Sequence, residues 1–83
     1  MYTVYILFSP SKSQFYAGQT NDLPDRLYRH NSGQSKSTKS GVPWTLIYTT
    51  EFTSRSEAVL LETKIKKRGI KRYLDDIQFK FEV

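Results

Sequence analysis

Residues 2 to 8, Tyr-Thr-Val-Tyr-Ile-Leu-Phe, constrain the fold more than any other stretch of the chain. A run so rich in β-branched and aromatic residues reads as a strand, ended by Ser9-Pro10-Ser11. Both of its faces carry apolar side chains, which predicts a central strand. The polar segment 9–13 reads as a surface turn. Residues 14 to 18 then return as an antiparallel partner and close a hairpin. Gly18 is expected to end that partner strand. It either simply terminates the strand or marks a place that something approaches closely.

The next segment reads as a helix starting near Asn21 or Asp22, both good caps, with Pro24 in the first turn, where its missing N–H costs nothing. Leu23, Leu27 and Tyr28 supply its apolar contacts, and Gly33 stands where a stop is expected. Residues 32 to 42 are the one low-complexity segment and are expected to form a mobile loop. Residues 44 to 50, Trp-Thr-Leu-Ile-Tyr-Thr-Thr, form another strand pattern. Ser54 followed three residues later by Glu57 is a capping box. It opens a helix with Ala58, Leu61 and Ile65 on one stripe and Leu60 nearby. Gly69 should break that helix, and residues 71 to 77 should begin a short one. The tail 79–83 fits either a strand or a frayed end. The order β-β-α-β-α-α predicts a small α/β (α+β) fold with helices flanking a three-stranded, mainly antiparallel sheet.

Eighty-three residues suffice for one domain, expected to span 1–83. The twelve aromatic residues give a small core large contact areas. With no cysteine there is no disulfide or thiolate metal site, and a single histidine makes a zinc centre improbable. No apolar run approaches the ~20 residues that span a bilayer. No basic n-region precedes the first strand, so no signal peptide is expected and a cytoplasmic location follows. Thirteen Lys and Arg against eight Asp and Glu give a net charge of +5, which favours a polyanionic partner.

Four groups of residues can carry chemistry. Tyr5 and Tyr16 act together only if the hairpin register puts them on one face, and each alone is an ordinary packing residue. Arg26 and His30 lie one helical turn apart, on the face that also carries Asp22. Arg26 either pairs with Asp22 or clamps a phosphate with its planar fork. His30 either complements the helix end or binds and protonates nearby. Glu62 borders the apolar stripe of the later helix. It is either an i, i+4 partner of Lys66 or a ligand for Mg²⁺ or Mn²⁺, since hard cations take oxygen. Residues 64–72 hold six basic residues in nine: Lys64, Lys66, Lys67, Arg68, Lys71 and Arg72. With Lys36 and Lys39 on the loop, they are expected to contact a phosphate backbone, the other reading being a solvated helix end. Together these groups suit metal-assisted phosphodiester hydrolysis.

The ordered set resembles the GIY-YIG endonucleases, named for two tripeptides on a β-hairpin. Thr3-Val4-Tyr5 stands where the first is expected and Tyr16-Ala17-Gly18 where the second is. Arg26 and His30 match the basic pair on the following helix, and Glu62 matches the glutamate on the later one. The Ser-Lys-Ser-Thr-Lys loop before Pro43-Trp44, and Arg55-Ser56-Glu57-Ala58, are similar to the small standalone branch. The resemblance covers residues 1 to 78. It implies a nuclease domain with one divalent cation, acting on DNA, in a repair or recombination setting. In it Tyr5 would be the general base or would orient the base, Glu62 would hold the metal, and Arg26 would stabilise phosphate charge. Tyr16 and His30 would support the phosphate and the Tyr5 hydroxyl. Thr3 stands in place of the first glycine, Ala17 in place of isoleucine, and no asparagine follows Asn31. Those departures keep a second reading open, a weakly catalytic or inactive nucleic-acid-binding module. A third reading takes the basic surface as a dock for an acidic protein.

Overall fold

The computed structural model describes residues 1–79. In chain order the elements are β1 (Tyr2–Ser9), β2 (Gln14–Thr20), α1 (Leu23–Asn31), a 3-10 turn (Lys39–Gly41), β3 (Thr45–Phe52), α2 (Arg55–Arg68) and α3 (Ile70–Asp76). This is the predicted order with one short turn added. The sheet order is β2-β1-β3, and both pairings are antiparallel. β1 is therefore central, as its two apolar faces require.

Residues two apart on a strand share a face, and this period sorts the core into two clusters. Val4, Ile6 and Ala17 pack with Ala58, Ile65, Tyr73 and Leu74 of α2 and α3. Tyr5 and Leu7 pack with Trp44, and Tyr16, Leu23 and Leu27 close around them. The register opposes Leu7 to Tyr16 and Tyr5 to Gly18. Against β3 the register shifts between Ile6 and Leu7, where a bulge lets Leu7 oppose Leu46.

The caps fall where the sequence puts them. Asp22 caps α1 by accepting the Asp25 N–H at 3.2 Å. Ser54 caps α2 by accepting the Glu57 N–H at 3.2 Å, and Glu57 reaches back to the Ser54 hydroxyl. Gly69, at φ +95°, separates α2 from α3, a backbone angle that costs a glycine nothing.

Three expectations are corrected. β2 does not stop at Gly18 but continues to Thr20, because Thr3 and Val4 still offer it ladder partners. The segment 32–42 is not a featureless loop. Thr38 and Gly41 are buried, the Ser9 hydroxyl donates to the Gly41 carbonyl at 2.6 Å, and the Trp44 indole donates to the Thr38 carbonyl at 2.7 Å. Low complexity concealed these tethers, since they run to backbone carbonyls and need no particular side chain on the loop. Leu60 faces away from the core and is 71% exposed, while Ala58 and Ile65 are fully buried. Of the tail, Phe79 donates its N–H to the Leu74 carbonyl and meets the Tyr48 ring edge-on; residues 80–83 lie outside the described residues. No helix among the described residues is long and apolar enough to cross a membrane.

Candidate active site

On the α1 side of the sheet, aromatic rings and a histidine gather around the Tyr5 hydroxyl. Tyr5 and Tyr16 share that face, with ring centroids 6.4 Å apart, as a joint role requires. His30 arrives from the last turn of α1 and meets both rings, at 5.9 Å from Tyr5 and 4.9 Å from Tyr16. Gly18 makes this arrangement possible. An ideal Cβ on it would lie 2.6 Å from the Tyr5 Oη and 2.8 Å from its Cζ, so the ring can lie over β2 only where no side chain stands. The close-approach reading of Gly18 is the one realised.

His30 is 1% exposed and fully partnered. Its Nε2 lies 3.0 Å from the Tyr5 Oη and its Nδ1 2.8 Å from the Thr38 Oγ1. Two proton arrangements satisfy both contacts for a neutral ring. In one, Tyr5 donates to Nε2 and Nδ1–H donates to Thr38. In the other, Nε2–H donates to Tyr5 and Thr38 donates to Nδ1. Burial, with the Arg26 charge nearby, lowers the His30 pKa, which keeps the ring neutral at pH 7. His30 is therefore not a solvated helix-end charge.

Tyr5 has no exposed surface, and burial pushes its phenol up to about 12. Tyr16 adds to that rise, Arg26 opposes it and Glu62 adds a smaller push. The downward pull of Arg26 is outweighed by desolvation. Tyr16 is only half-buried. It lines a hollow of about 290 Å³ with Arg26, Arg29, His30, Gln34 and Ser35.

Arg26 makes no ion pair among the described residues. The pair on α1 joins Arg29 to Asp25 at 3.0 Å instead, so the expected alternative of Arg26 with Asp22 is not formed. Glu62 is held by Lys66 at 2.7 Å, with its side chain 19% exposed, and the Lys66 ammonium lies 6.0 Å from the centre of the Tyr16 ring. The i, i+4 pair and the position beside the tyrosines thus coexist.

The basic residues do not form one track. Lys66 turns to the tyrosine side, while Lys64, Lys67 and Arg68 line an open hollow on the outer side of α2 with Leu60, Thr63, Tyr73 and Asp76. Arg68 is held by Asp76 through two hydrogen bonds, at 2.7 and 3.0 Å, and Lys71 pairs with Asp75 at 3.6 Å. Lys64, Lys67 and Arg72 are exposed without ion pairs among the described residues, as are Lys36 and Lys39 on the loop side. Two positioning residues were missed in the sequence. Thr38 had no signal in a Ser/Thr/Lys segment. Asn31 accepts from the Trp44 N–H at 2.6 Å and donates to its carbonyl at 3.2 Å, locking α1 to the approach of β3.

Among the described residues no three His, Asp or Glu side chains cluster as a metal cage. The donor set still suits a hard divalent cation. Glu62 is a half-buried carboxylate that already accommodates the Lys66 ammonium as a positive charge, and Mg²⁺ is commonly held by one or two carboxylates with water and phosphate oxygens completing its shell.

Comparison with known proteins agrees with the geometry. The chain matches the GIY-YIG catalytic domain over residues 1–73, and it belongs to that family. A UPF0213 protein of Halobacterium salinarum is 38% identical over 68 residues, covering 81% of this chain and 87% of its own. The structure-specific endonuclease subunit slx1 of Schizosaccharomyces pombe is 35% identical over 88 residues, covering 95% of this chain but only 32% of that protein. The solution NMR structure of the UPF0213 protein BH0048 from Bacillus halodurans superposes with a TM-score of 0.59 at 30% identity, covering 96% of this chain and 86% of that one.

Proposed function

We propose that this chain is a divalent-metal-dependent endonuclease that hydrolyses phosphodiester bonds in DNA. The observation that carries the reading is the convergence of Tyr5, Tyr16 and His30 on one face of the sheet, with Arg26 lining the adjoining hollow. The match to a catalytic-domain family and the endonuclease relative support it.

Each side chain then has a role. Arg26, without an ion pair among the described residues, clamps the non-bridging phosphate oxygens and offsets the charge that grows on them. Tyr16, the more open tyrosine, faces the hollow and orients the attacking water. Tyr5 and His30 act as one proton relay: as the attacking water gives its proton to the Tyr5 oxygen, the Tyr5 hydroxyl proton passes to Nε2 of neutral His30. Thr38 fixes the His30 ring by holding Nδ1. Glu62 is the ligand for Mg²⁺ or Mn²⁺, which when bound would polarise the phosphate and neutralise the leaving oxygen. Lys66 must leave Glu62 for that to happen. Of the basic residues singled out in the sequence, Lys64, Lys67, Arg72, Lys36 and Lys39 are left to contact the nucleic-acid backbone.

A nicking assay on supercoiled and branched DNA with Mg²⁺ or Mn²⁺ tests the reading. Glu62→Ala should lower cleavage by about 10²- to 10⁴-fold, the range for loss of a group that acts in the transition state. Cleavage that survives Glu62→Ala sinks the proposal. The second reading, a nucleic-acid-binding module, is favoured by one observation: Tyr5 is sealed from solvent and its phenol is pushed up to about 12. Binding that weakens steeply with salt, without cleavage by wild type, would select it.

A further inference from the structure

A second polar hollow, of about 260 Å³, lies at the open end of the β1–β2 hairpin, lined by Tyr2, Gln19, Thr20, Asn21, Arg26 and Arg55. It shares Arg26 with the hollow beside Tyr16 and has no other residue in common with it. It is several times the roughly 30 Å³ that one water takes up in the liquid.

Among the described residues two arginines line it and no carboxylate does. Elsewhere basic side chains often find an acid: Arg29 has Asp25, Lys66 has Glu62, Arg68 has Asp76 and Lys71 has Asp75. Arg26 and Arg55 make no such pair among the described residues. The carboxylate two residues from Arg55, Glu57, is occupied at its own cap, 3.2 Å from the Ser54 hydroxyl. Thr20 is likewise engaged, since its Oγ1 accepts the Asp22 N–H at 3.0 Å and so helps fix the rim where β2 turns into α1. Two uncompensated guanidiniums facing one hollow repel each other. An anion between them removes that cost, and the planar fork of arginine matches a tetrahedral oxyanion.

We propose that Arg55, with Arg26, forms a phosphate subsite that takes the nucleic-acid phosphate next to the one at the tyrosines. The inference rests on the nuclease reading for the identity of its ligand. It deepens that reading by giving the strand a direction, from the Tyr16 hollow past Arg26 toward the start of α2. Arg55 is a binding residue here, and the reacting phosphate stays on the other side of Arg26.

The test uses the full chain and its Arg55→Ala and Arg55→Lys variants, each checked for an unchanged thermal transition. Titration with inorganic phosphate, followed by amide NMR, should shift the Thr20, Asn21 and Arg55 resonances saturably in wild type and not in Arg55→Ala. A short DNA duplex should bind Arg55→Ala about five- to tenfold more weakly, with the salt slope of log K reduced by about 1 and Arg55→Lys falling between. Unchanged slope and affinity in Arg55→Ala, or no phosphate shifts in wild type, overturn the subsite. Phosphate shifts without any Arg55 effect on duplex binding overturn it as part of a nucleic-acid path and leave only a free-anion site. The nuclease reading fails separately, through loss of metal-dependent cleavage in wild type, and an intact Arg55 signature in that case keeps the subsite on a binding module.

Discussion

Toward α2 and α3, β1 presents Val4 and Ile6, and they meet a nearly all-hydrocarbon layer of Ala58, Ile65 and Leu74. Toward α1 the same strand presents Tyr5 and Leu7, and there the buried atoms include a phenol, an imidazole and a threonine hydroxyl joined in one chain. Among the described residues no buried side-chain nitrogen or oxygen lacks a partner, and on the first face the Tyr73 hydroxyl meets that of Tyr48 at 3.4 Å. The difference teaches where each face is vulnerable. The first tolerates loss of chemistry but not loss of volume. The second depends on the direction of hydrogen bonds, which a single atom can upset.

Replacing Ile65 by Ala should have the largest effect on stability. It opens a cavity in the fully buried layer and should cost about 2–5 kcal/mol in denaturant unfolding. Cleavage per folded molecule should stay within about twofold at low temperature, because the change lies on the face away from the tyrosines. A large drop in specific activity would show that the two faces are coupled.

Alkali titrates a phenol on each face. Tyr5 on one side and Tyr73 on the other are both raised to about 12, Tyr5 mainly by burial and Tyr73 by burial with help from Tyr48. A phenol whose folded pKa is raised keeps its proton when the unfolded chain has lost it. Stability is therefore full below pH 10 and declines as pH rises from about 10 to 12. Tyr5→Phe should remove its share of that slope in pH-dependent unfolding; an unchanged slope would mean that Tyr5 is not desolvated. At the acid end His30 has a lowered pKa, so its contribution is lost as pH falls below about 6.5.

Gly18→Ala should cost about 1–3 kcal/mol, since the new Cβ must displace the Tyr5 ring. The sharper readout is the His30 ring nitrogen resonances, which should report loss of the Tyr5 contact. An unperturbed ring would mean that β2 yields instead. Smallest in stability is Tyr16→Phe, expected within about 0.5 kcal/mol because the hydroxyl makes no hydrogen bond among the described residues. Cleavage should nevertheless fall at least tenfold, about 1.4 kcal/mol, if Tyr16 orients the water. Wild-type cleavage rates would remove Tyr16 from the mechanism.

Much of the fold could be read from local rules. Alternation sorted β1 into two faces, and Asp22, Ser54 and Gly69 marked helix ends through capping chemistry that acts over three or four residues. Of the expected capping box, the Ser54 half formed, its hydroxyl accepting the Glu57 N–H, while the Glu57 carboxylate accepts from the Ser54 hydroxyl instead of its backbone N–H. The site was legible in part. Tyr5, Tyr16, Arg26, His30 and Glu62 could be named, because a strand-hairpin-helix order limits which residues can meet. Thr38 and Asn31 could not, since they act on backbone or ring atoms across 6 to 13 residues and nothing in their identity announces it. Arg55 stood in the sequence only as part of the Arg55-Ser56-Glu57-Ala58 resemblance, with no role of its own until the hollow put it beside Arg26.

What the sequence determined by itself was therefore the order of elements, the central place of β1 and the residue types able to bind a phosphate. Those follow from side-chain period, propensity and charge, which are local properties. Only the tertiary structure decided which tyrosine is sealed and which is open, that the Glu62–Lys66 pair lies beside the Tyr16 ring, and that Arg26 stands between two hollows. These depend on desolvation and on distances between segments far apart in the chain, and neither quantity exists until the sheet has closed against its helices.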